Sequence, residues 1–530
     1  MLDIQLPNQD LLERTNLQEA MRNEPVLGSA VRSVAERLNG GLSPATEAYL
    51  SEVIDIYTEA SRVEREIAAS PMEFNPKGLY TSESLGNLDS LRKHTSEASI
   101  IWVLKPGITV DRIQAGYVKV AGEDGKRLLN WLSAASSLNL GGQHPDIETA
   151  DAWAGIRFGS NNCSAYHPMG IEDEAKSQLA EVTPGNHQKI IVWESSGGGV
   201  NTVAQEAALL HQHTLGRTSR RLIVRFEKAY HGNNGLAGMA TDFGIDRKYD
   251  VIFNGNVPNV RLPFPDTPHA TAEFLSRYEA LVRQDQVAGI LLEAIQGDGG
   301  MRIMSQEAAK FITTVNEQQD ILSIWDEVQS GMGRSGKFLA VEWFGPEVAN
   351  SPNAAFTLAK ALANGYPISA AVLPKNYDQF PPAGALSTMM GNASGLLRMM
   401  TTIQIVYQPD FLEAVRLKGE MAKDMLNMAS SPDSHLRGGR GYGLMLGAEF
   451  TNPDGSSAVT EAICYLGGCG VLAGGVENHG LRLHPRLTVE PEVVRRVVEK
   501  VIECGELMDE NVVPAYVKSM VNAGKSGLDK

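Results

Sequence analysis

Lys360, in the run TLAKALANGYP, carries a primary amine able to condense with a carbonyl and form a Schiff base. Asp326 closes the apolar run ILSIWD (321–326), so its carboxylate is expected at the carboxyl end of a buried strand. Open α/β sheets hold their ligands at that edge. A buried carboxylate needs a partner, and a cationic ligand atom is one way to supply it. A third element is ESSGGGVNTVAQEAALL, where Ser195, Ser196, Gly197, Gly198 and Gly199 separate an apolar strand from a helix. The free N–H groups at such a helix start bind anions, phosphate among them.

These residues need a scaffold, and the pattern around them predicts one. Apolar strands alternate with amphipathic helices: KIIVWES, a helix over 200–214, RLIVRFE, VAGILLEAI, a helix over 305–319, ILSIWDE and ISAAVLP. That alternation implies a mainly parallel sheet covered on both faces. From about residue 401 a second mixture of helices and strands follows, including RGYGLMLGAEF and LRLHPRLTVEPEVVRRVVEKVIECGEL, and predicts a smaller α+β domain. Ahead of the regular part, YVKVAGEDGKRLLNWL reads as two strands around the turn dipeptide Asp124-Gly125. Residues 1–105 are polar and helix-patterned; Leu50, Ile54, Ile56 and Tyr57 approximate one helix face, and Ser43-Pro44 supplies a cap. The tail NAGKSGLDK is expected to be disordered.

With 530 residues and 43% hydrophobic content the chain can bury a large core in two or more domains. A net charge of -16 argues against nucleic-acid binding and against an anionic membrane surface. Four scattered cysteines (Cys163, Cys464, Cys469, Cys504) form neither a disulfide framework nor a paired metal site. His211 and His213, two apart on a helix, point to different faces, so no metal is expected there. The first residues lack an apolar signal-peptide core, and no run of about 18 apolar residues occurs. A cytoplasmic location is the expectation.

DEVQSGMGRSGKF followed by TLAKALANGYP resembles the signature of the class III (omega) aminotransferases, pyridoxal phosphate enzymes of fold type I. The resemblance covers about residues 110–510 and rests on five motifs in the right order. It implies an α/β fold with a mainly parallel seven-stranded sheet flanked by helices, plus the smaller α+β domain. The implied divisions are an amino-terminal helical extension (1–105), a segment contributing to the small domain (106–165), a large cofactor-binding domain (166–400) and a carboxyl-terminal small domain (401–530).

The resemblance also assigns roles. Lys360 forms the Schiff base and then moves the proton, while Asp326 faces the pyridinium nitrogen. Ser196, Gly197 and Gly198 hold the phosphate. Many members have a serine or threonine and an acidic residue in this turn where the chain has Gly198 and Gly199, a pattern nearer the lysine and 4-aminobutyrate aminotransferases. Tyr230 of YHG stacks on one face of the cofactor ring and Val328 lies on the other; Gln329 meets the ring hydroxyl. His231, Glu327 and Arg440 are read as supporting residues. VAGILLEAIQGDGGMR is similar to the family segment E-P-x-Q-G-E-G-G, with Glu293 matching and Ala294 and Asp298 departing. Asp298 falls where relatives gate a substrate arginine. STMMGNASG places Thr388 as a phosphate ligand of the neighbouring subunit, which implies a homodimer with shared sites. GLRLHPRL makes Arg482 the residue for a substrate carboxylate, with Arg486 in place of a second proline. The expected reaction moves an amino group, an omega-amine, from a small-molecule donor to a keto acid such as 2-oxoglutarate. A racemase or aminomutase on the same scaffold, and a non-catalytic cofactor-binding protein, are the alternatives.

Overall fold

The computed structural model describes residues 20–22, 26–38, 40–70, 72, 110–120, 127–159, 170–185, 188–242, 246–253, 258–381, 383–385, 387–476, 479–515 and 517. The Asp124-Gly125 turn, Cys163 and the last residues lie outside them. The chain divides into two compact units.

The larger unit comprises residues 25–51 and 145–412 and is built on a seven-stranded sheet. Its strands, numbered in chain order, are β1 (Lys189–Glu194), β2 (Leu222–Phe226), β3 (Asn259–Leu262), β4 (Val287–Leu292), β5 (Leu322–Asp326), β6 (Ala354–Leu358) and β7 (Ser369–Pro374). Their order across the sheet is β1-β7-β6-β5-β4-β2-β3. Only β7 runs against the others. The expected mainly parallel sheet is present, and β3 and β6 add strands to the five apolar runs of the sequence. Every residue of β4, β5, β6 and β7 is buried, as continuous apolar runs in a doubly covered sheet must be.

Helix Gly197–Thr214 packs on this sheet through small side chains, Ala204, Ala207 and Ala208 among them. A Cβ on Gly289 of β4 would lie 3.0 Å from the Ala208 Cβ, so small residues on both sides set the helix-to-sheet distance. Because six strands run the same way, their carboxyl ends open on one edge. The segments that follow β1, β2, β4, β5 and β6 meet there around a cavity of about 810 Å³.

The smaller unit comprises residues 1–24, 52–144 and 413–530. One four-stranded sheet joins Val110–Gln114, Tyr117–Val120, Arg127–Asn130 and Val471–Leu472. The second joins Leu436–Tyr442, Met445–Phe450, Gly480–Leu483 and Gly474–Val476. The strands flanking the Asp124-Gly125 turn pair antiparallel, Tyr117 opposite Leu129, as a hairpin requires. Helix Pro44–Ala69, of which residues 52–69 belong to this unit, begins where expected, with the Ser43 Oγ accepting the Thr46 N–H at 3.2 Å. Of the four residues expected on its buried face two are buried, and Ile54 is only half-buried. Leu50, Tyr57, Ala60 and Val63 are buried, whereas Ile56 is 44% exposed because the stripe rotates past it.

Arg486 is among the largest fully buried side chains of the described residues. Its Nη2 lies 2.6 Å from Glu64 Oε2, its Nε donates to the same oxygen at 3.0 Å, and its Nη1 donates to Tyr57 and Thr488. Both partners of the ion pair are nearly inaccessible, 2% and 4% exposed. A side chain at Gly116 would collide with the Glu64 carboxylate, so the glycine leaves the space this pair occupies. No helix among the described residues is long and apolar enough to cross a membrane.

Candidate active site

Asp326 ends β5 with 5% of its surface exposed. Its Oδ2 accepts from the Asn201 side-chain amide and pairs with His231 Nδ1, both at 2.7 Å, while Oδ1 accepts the Val328 N–H at 3.0 Å. None of these partners is a permanent cation. Asn201 is itself fixed: its Nδ2 also donates to the His231 carbonyl at 2.9 Å, and its Oδ1 accepts the Thr357 hydroxyl of β6 at 2.7 Å. The carboxylate is therefore oriented from three elements and keeps its charge available to a ligand on the cavity side.

Lys360 follows β6 by two residues. Ala359 is extended and Lys360 has a φ of 41°, a left-handed conformation that costs a side-chain-bearing residue about 1–3 kcal/mol. The Gly365 N–H bonds back to the Lys360 carbonyl at 3.0 Å and holds the bend. Lys360 is half-buried and lines the same cavity as Asp326.

The turn after β1 opens helix Gly197–Thr214. The Ser196 Oγ accepts the Gly199 N–H at 3.1 Å, an N-cap that satisfies one helix donor. Gly197 and Gly232 are required sterically. A Cβ on Gly197 would stand 2.8 Å from Val328 Cγ1, and Gly198 packs on Gly232, whose φ is 133° and whose added Cβ would sit 2.8 Å from the Gly198 Cα. The YHG segment and the 195–199 turn thus meet backbone to backbone, and Tyr230 stands at the cavity wall.

Of the residues singled out in the sequence, Ser196, Gly197, Gly198 and Tyr230 line the cavity from the first two loops. Glu293 and Asp298 line it from the loop after β4, and Asp326, Val328 and Gln329 from that after β5. Gly297 is needed for the last of these, because a Cβ there would overlap Gln329 Oε1. Glu293 accepts the Gly297 N–H at 3.1 Å and the Tyr230 N–H at 3.3 Å. Burial, and then the charge of Asp326, push its carboxyl well above the usual range. Burial and the charge of Asp298 raise the Tyr230 hydroxyl. Glu327 turns away from the cavity to accept from the Ser330 hydroxyl at 2.6 Å and the Val341 N–H at 2.7 Å; burial pushes it up to about 7.

Two residues stand apart from this group. Thr388 lies exposed in a turn and is not among the cavity's lining residues. Arg482 belongs to the smaller unit, buried on strand Gly480–Leu483 and flanked across the sheet by Gly447 and Gly474. Asn201 went unnoticed in the sequence, and the contact of His231 with Asp326 was not specified. A signal existed for the first: an asparagine inside an otherwise apolar helix face needs a buried partner.

A primary amine, a buried carboxylate and a glycine-rich helix start share one cavity. Comparison with known proteins agrees with that chemistry. Residues 104–504 match the family Aminotransferase class-III. The chain belongs to the class III aminotransferases. Acetylornithine aminotransferase of Bacillus subtilis is 29% identical over 406 residues, covering 74% of this chain and 94% of its own. The leucine/methionine racemase of Thermococcus litoralis is 26% identical over 75% of this chain and 92% of its own. Among solved structures, ornithine aminotransferase of Toxoplasma gondii superposes with a TM-score of 0.69 at 20% identity, over 82% of this chain and 97% of its own. A transaminase from the marine bacterium Virgibacillus gives the same score at 18% identity, over 81% and 100%. This class III aminotransferase has the fold of the type I pyridoxal phosphate enzymes; it is a pyridoxal phosphate-dependent transaminase that uses an amine donor and a keto acid.

The residues present fit that cofactor. Asp326 offers a buried, oriented carboxylate without a permanent cation among its partners, and the Gly197 and Gly198 N–H groups begin a helix of 18 residues at the cavity.

Proposed function

We propose that Lys360 is the amine that holds the cofactor and the base that moves the proton, and that Asp326 keeps the cofactor's ring nitrogen protonated. The observation that carries this reading is the Asp326 carboxylate itself, 5% exposed yet bonded only to an amide, an imidazole and a backbone N–H. Bound pyridoxal phosphate supplies an aldehyde for the donor amine and a ring that withdraws electrons from the reacting carbon. Ser196, Gly197 and Gly198 hold the phosphate, Tyr230 and Val328 fix the ring plane, and Gln329 and Glu293 face its polar edge. Lys360 Nζ would carry the proton at the reacting carbon.

The enzyme works in this reading as a cytoplasmic homodimer, with Thr388 serving the phosphate held mainly by the other subunit. It binds neither nucleic acid nor membrane. The donor bears its reacting amine distal to a carboxylate read by Arg482, Asp298 shapes the surroundings of that carboxylate, and 2-oxoglutarate is the acceptor. Relatives named for acetylornithine support an amino-acid donor. Residues 1–105 act as a helical extension, segments 106–165 and 401–530 contribute the small domain, and residues 166–400 the cofactor domain.

A spectroscopic screen of the half-reaction tests this. Amines that convert the bound cofactor to its amino form, with a stoichiometric keto or aldehyde product, identify the donor class. The leucine/methionine racemase likeness supports a second reading, inversion at an amino acid's α-carbon. Loss of optical rotation from amino acids, with no accumulation of the amino form and no keto-acid requirement, would select it instead.

A further inference from the structure

Glu194 is the last residue of β1. Its Oε2 accepts the Ser195 N–H at 2.9 Å and the Ser195 hydroxyl at 3.4 Å. The same oxygen lies 2.8 Å from where a Cβ on Gly199 would stand, with Cδ and Cγ at 3.1 and 3.2 Å. Its carboxylate therefore fills the volume that Gly199 leaves empty, against the first turn of helix Gly197–Thr214 and beside the cavity. The positive end of that helix, aimed at an anion, already faces one from the chain itself. The cavity is otherwise rich in carboxylates. Glu206 lines it from the same helix, and burial together with the Glu194 charge pushes Glu206 above its ordinary range. Lys360 is the sole lysine, and no arginine occurs, among the described residues lining it.

We infer that Glu194 is a built-in competitor of the cofactor's phosphate: it occupies the Ser195 donors and repels the dianion, and so sets how firmly the non-covalently held amino form of the cofactor is retained. The inference rests on the phosphate reading of the 195–199 turn. Gly199 is the enabling departure, because any side chain there would exclude the Glu194 carboxylate from the helix start. The Gly197 and Gly198 N–H groups hold the phosphate in both variants below, so the turn keeps its function when Glu194 is changed.

The test measures equilibrium dissociation constants of pyridoxamine 5'-phosphate and of pyridoxamine from the full-length protein freed of cofactor. Three chains are compared with wild type: Glu194→Gln, which keeps an acceptor for Ser195 but no charge; Glu194→Ala, which frees the Ser195 donors; and Glu206→Gln, which removes a charge from the same cavity without touching Ser195. Glu194→Gln is expected to bind pyridoxamine 5'-phosphate at least threefold more tightly and Glu194→Ala about tenfold, with pyridoxamine changed less than twofold. Glu206→Gln is expected to gain less than either. Unchanged or weaker phosphate binding in folded Glu194→Gln and Glu194→Ala overturns the inference, as does an equal gain from Glu206→Gln. If wild type holds pyridoxamine as tightly as its phosphate ester, the phosphate reading of the turn has failed instead.

Discussion

Two buried carboxylates, one in each unit, are handled in opposite ways. Glu64 in the smaller unit is 4% exposed and meets Arg486 through two nitrogens, with Tyr57 and Thr488 taking further donors of the same guanidinium. Asp326 in the larger unit is equally buried, but an amide, an imidazole and a backbone N–H are all it receives. A carboxylate with its own cation has its desolvation offset inside the protein and leaves nothing for a ligand. One oriented by an amide, an imidazole and a backbone N–H, with no permanent cation beside it, keeps a charge that a cationic cofactor ring can use. The Glu64 pair neutralises, whereas the Asp326 site stores.

The most severe way to break the storing site is to remove its amine. Lys360→Ala should abolish turnover while leaving the far-ultraviolet circular dichroism unchanged, because one Nζ is assigned both cofactor attachment and proton transfer. Normal transamination by the purified variant would reject the assignment. In the neutralising pair the loss falls on stability. Arg486→Met leaves Glu64 charged and alone and should cost about 3–5 kcal/mol in urea unfolding. Adding Glu64→Met should recover most of it. A single variant as stable as wild type would show that Glu64 reaches water when Arg486 is gone.

The contrast between the two regions also explains which parts of the molecule were legible in the sequence. The storing site is made of local signals at strand ends, and so Asp326, Lys360 and the 195–199 turn can be read from patterns of apolar residues and glycines. The neutralising pair joins residues 64 and 486, with no local signal connecting them. Arg486 shows in the sequence only as a departure from a family proline, and its reason is a glutamate in the amino-terminal helix. Strand β3 escaped notice because its Asn259 and Arg261 break the apolar run of an edge strand. Ile56 was misassigned because a 26-residue helix presents a rotating stripe, and which residue it leaves outside depends on the partner surface.

Asp326→Asn sharpens the comparison by removing the stored charge and keeping the shape. Cofactor attachment to Lys360 should persist, and the rate should fall by about two to three powers of ten, or about 2.7–4 kcal/mol of barrier. A variant within threefold of wild type would show that the charge is not used. Glu327 offers a control beside it, since it is buried without a cation and away from the cavity. Its carboxyl is pushed up to about 7, so its contribution to stability is complete below the ordinary carboxylate range and is lost as pH rises through about 7. Glutamine can accept from Val341 and donate to the Ser330 oxygen. Glu327→Gln should therefore match wild type near pH 5 and exceed it by up to about 3 kcal/mol at pH 8. A constant difference across that range would mean that Glu327 does not titrate there.

The smallest expected effect concerns the second guanidinium of the 480–487 segment. Arg486 has its donors committed to Glu64, Tyr57, Thr488 and Ser61, so it is unsuited to a substrate. Arg482 lies on the same segment, paired across the sheet with Gly447 and Gly474. A guanidinium meets a carboxylate with two parallel hydrogen bonds. Its loss should be felt as binding, with Arg482→Ala raising the Michaelis constant for 2-oxoglutarate at least tenfold, about 1.4 kcal/mol, and leaving stability far less affected than Arg486→Met does. An unchanged constant, with simple amines lacking a carboxylate still good donors, would remove the carboxylate from the substrate and make an amine-specific transaminase the better description. If instead Arg482→Ala unfolds the protein as readily as Arg486→Met, then Arg482 too belongs to the neutralising class, and the substrate's carboxylate must be read elsewhere.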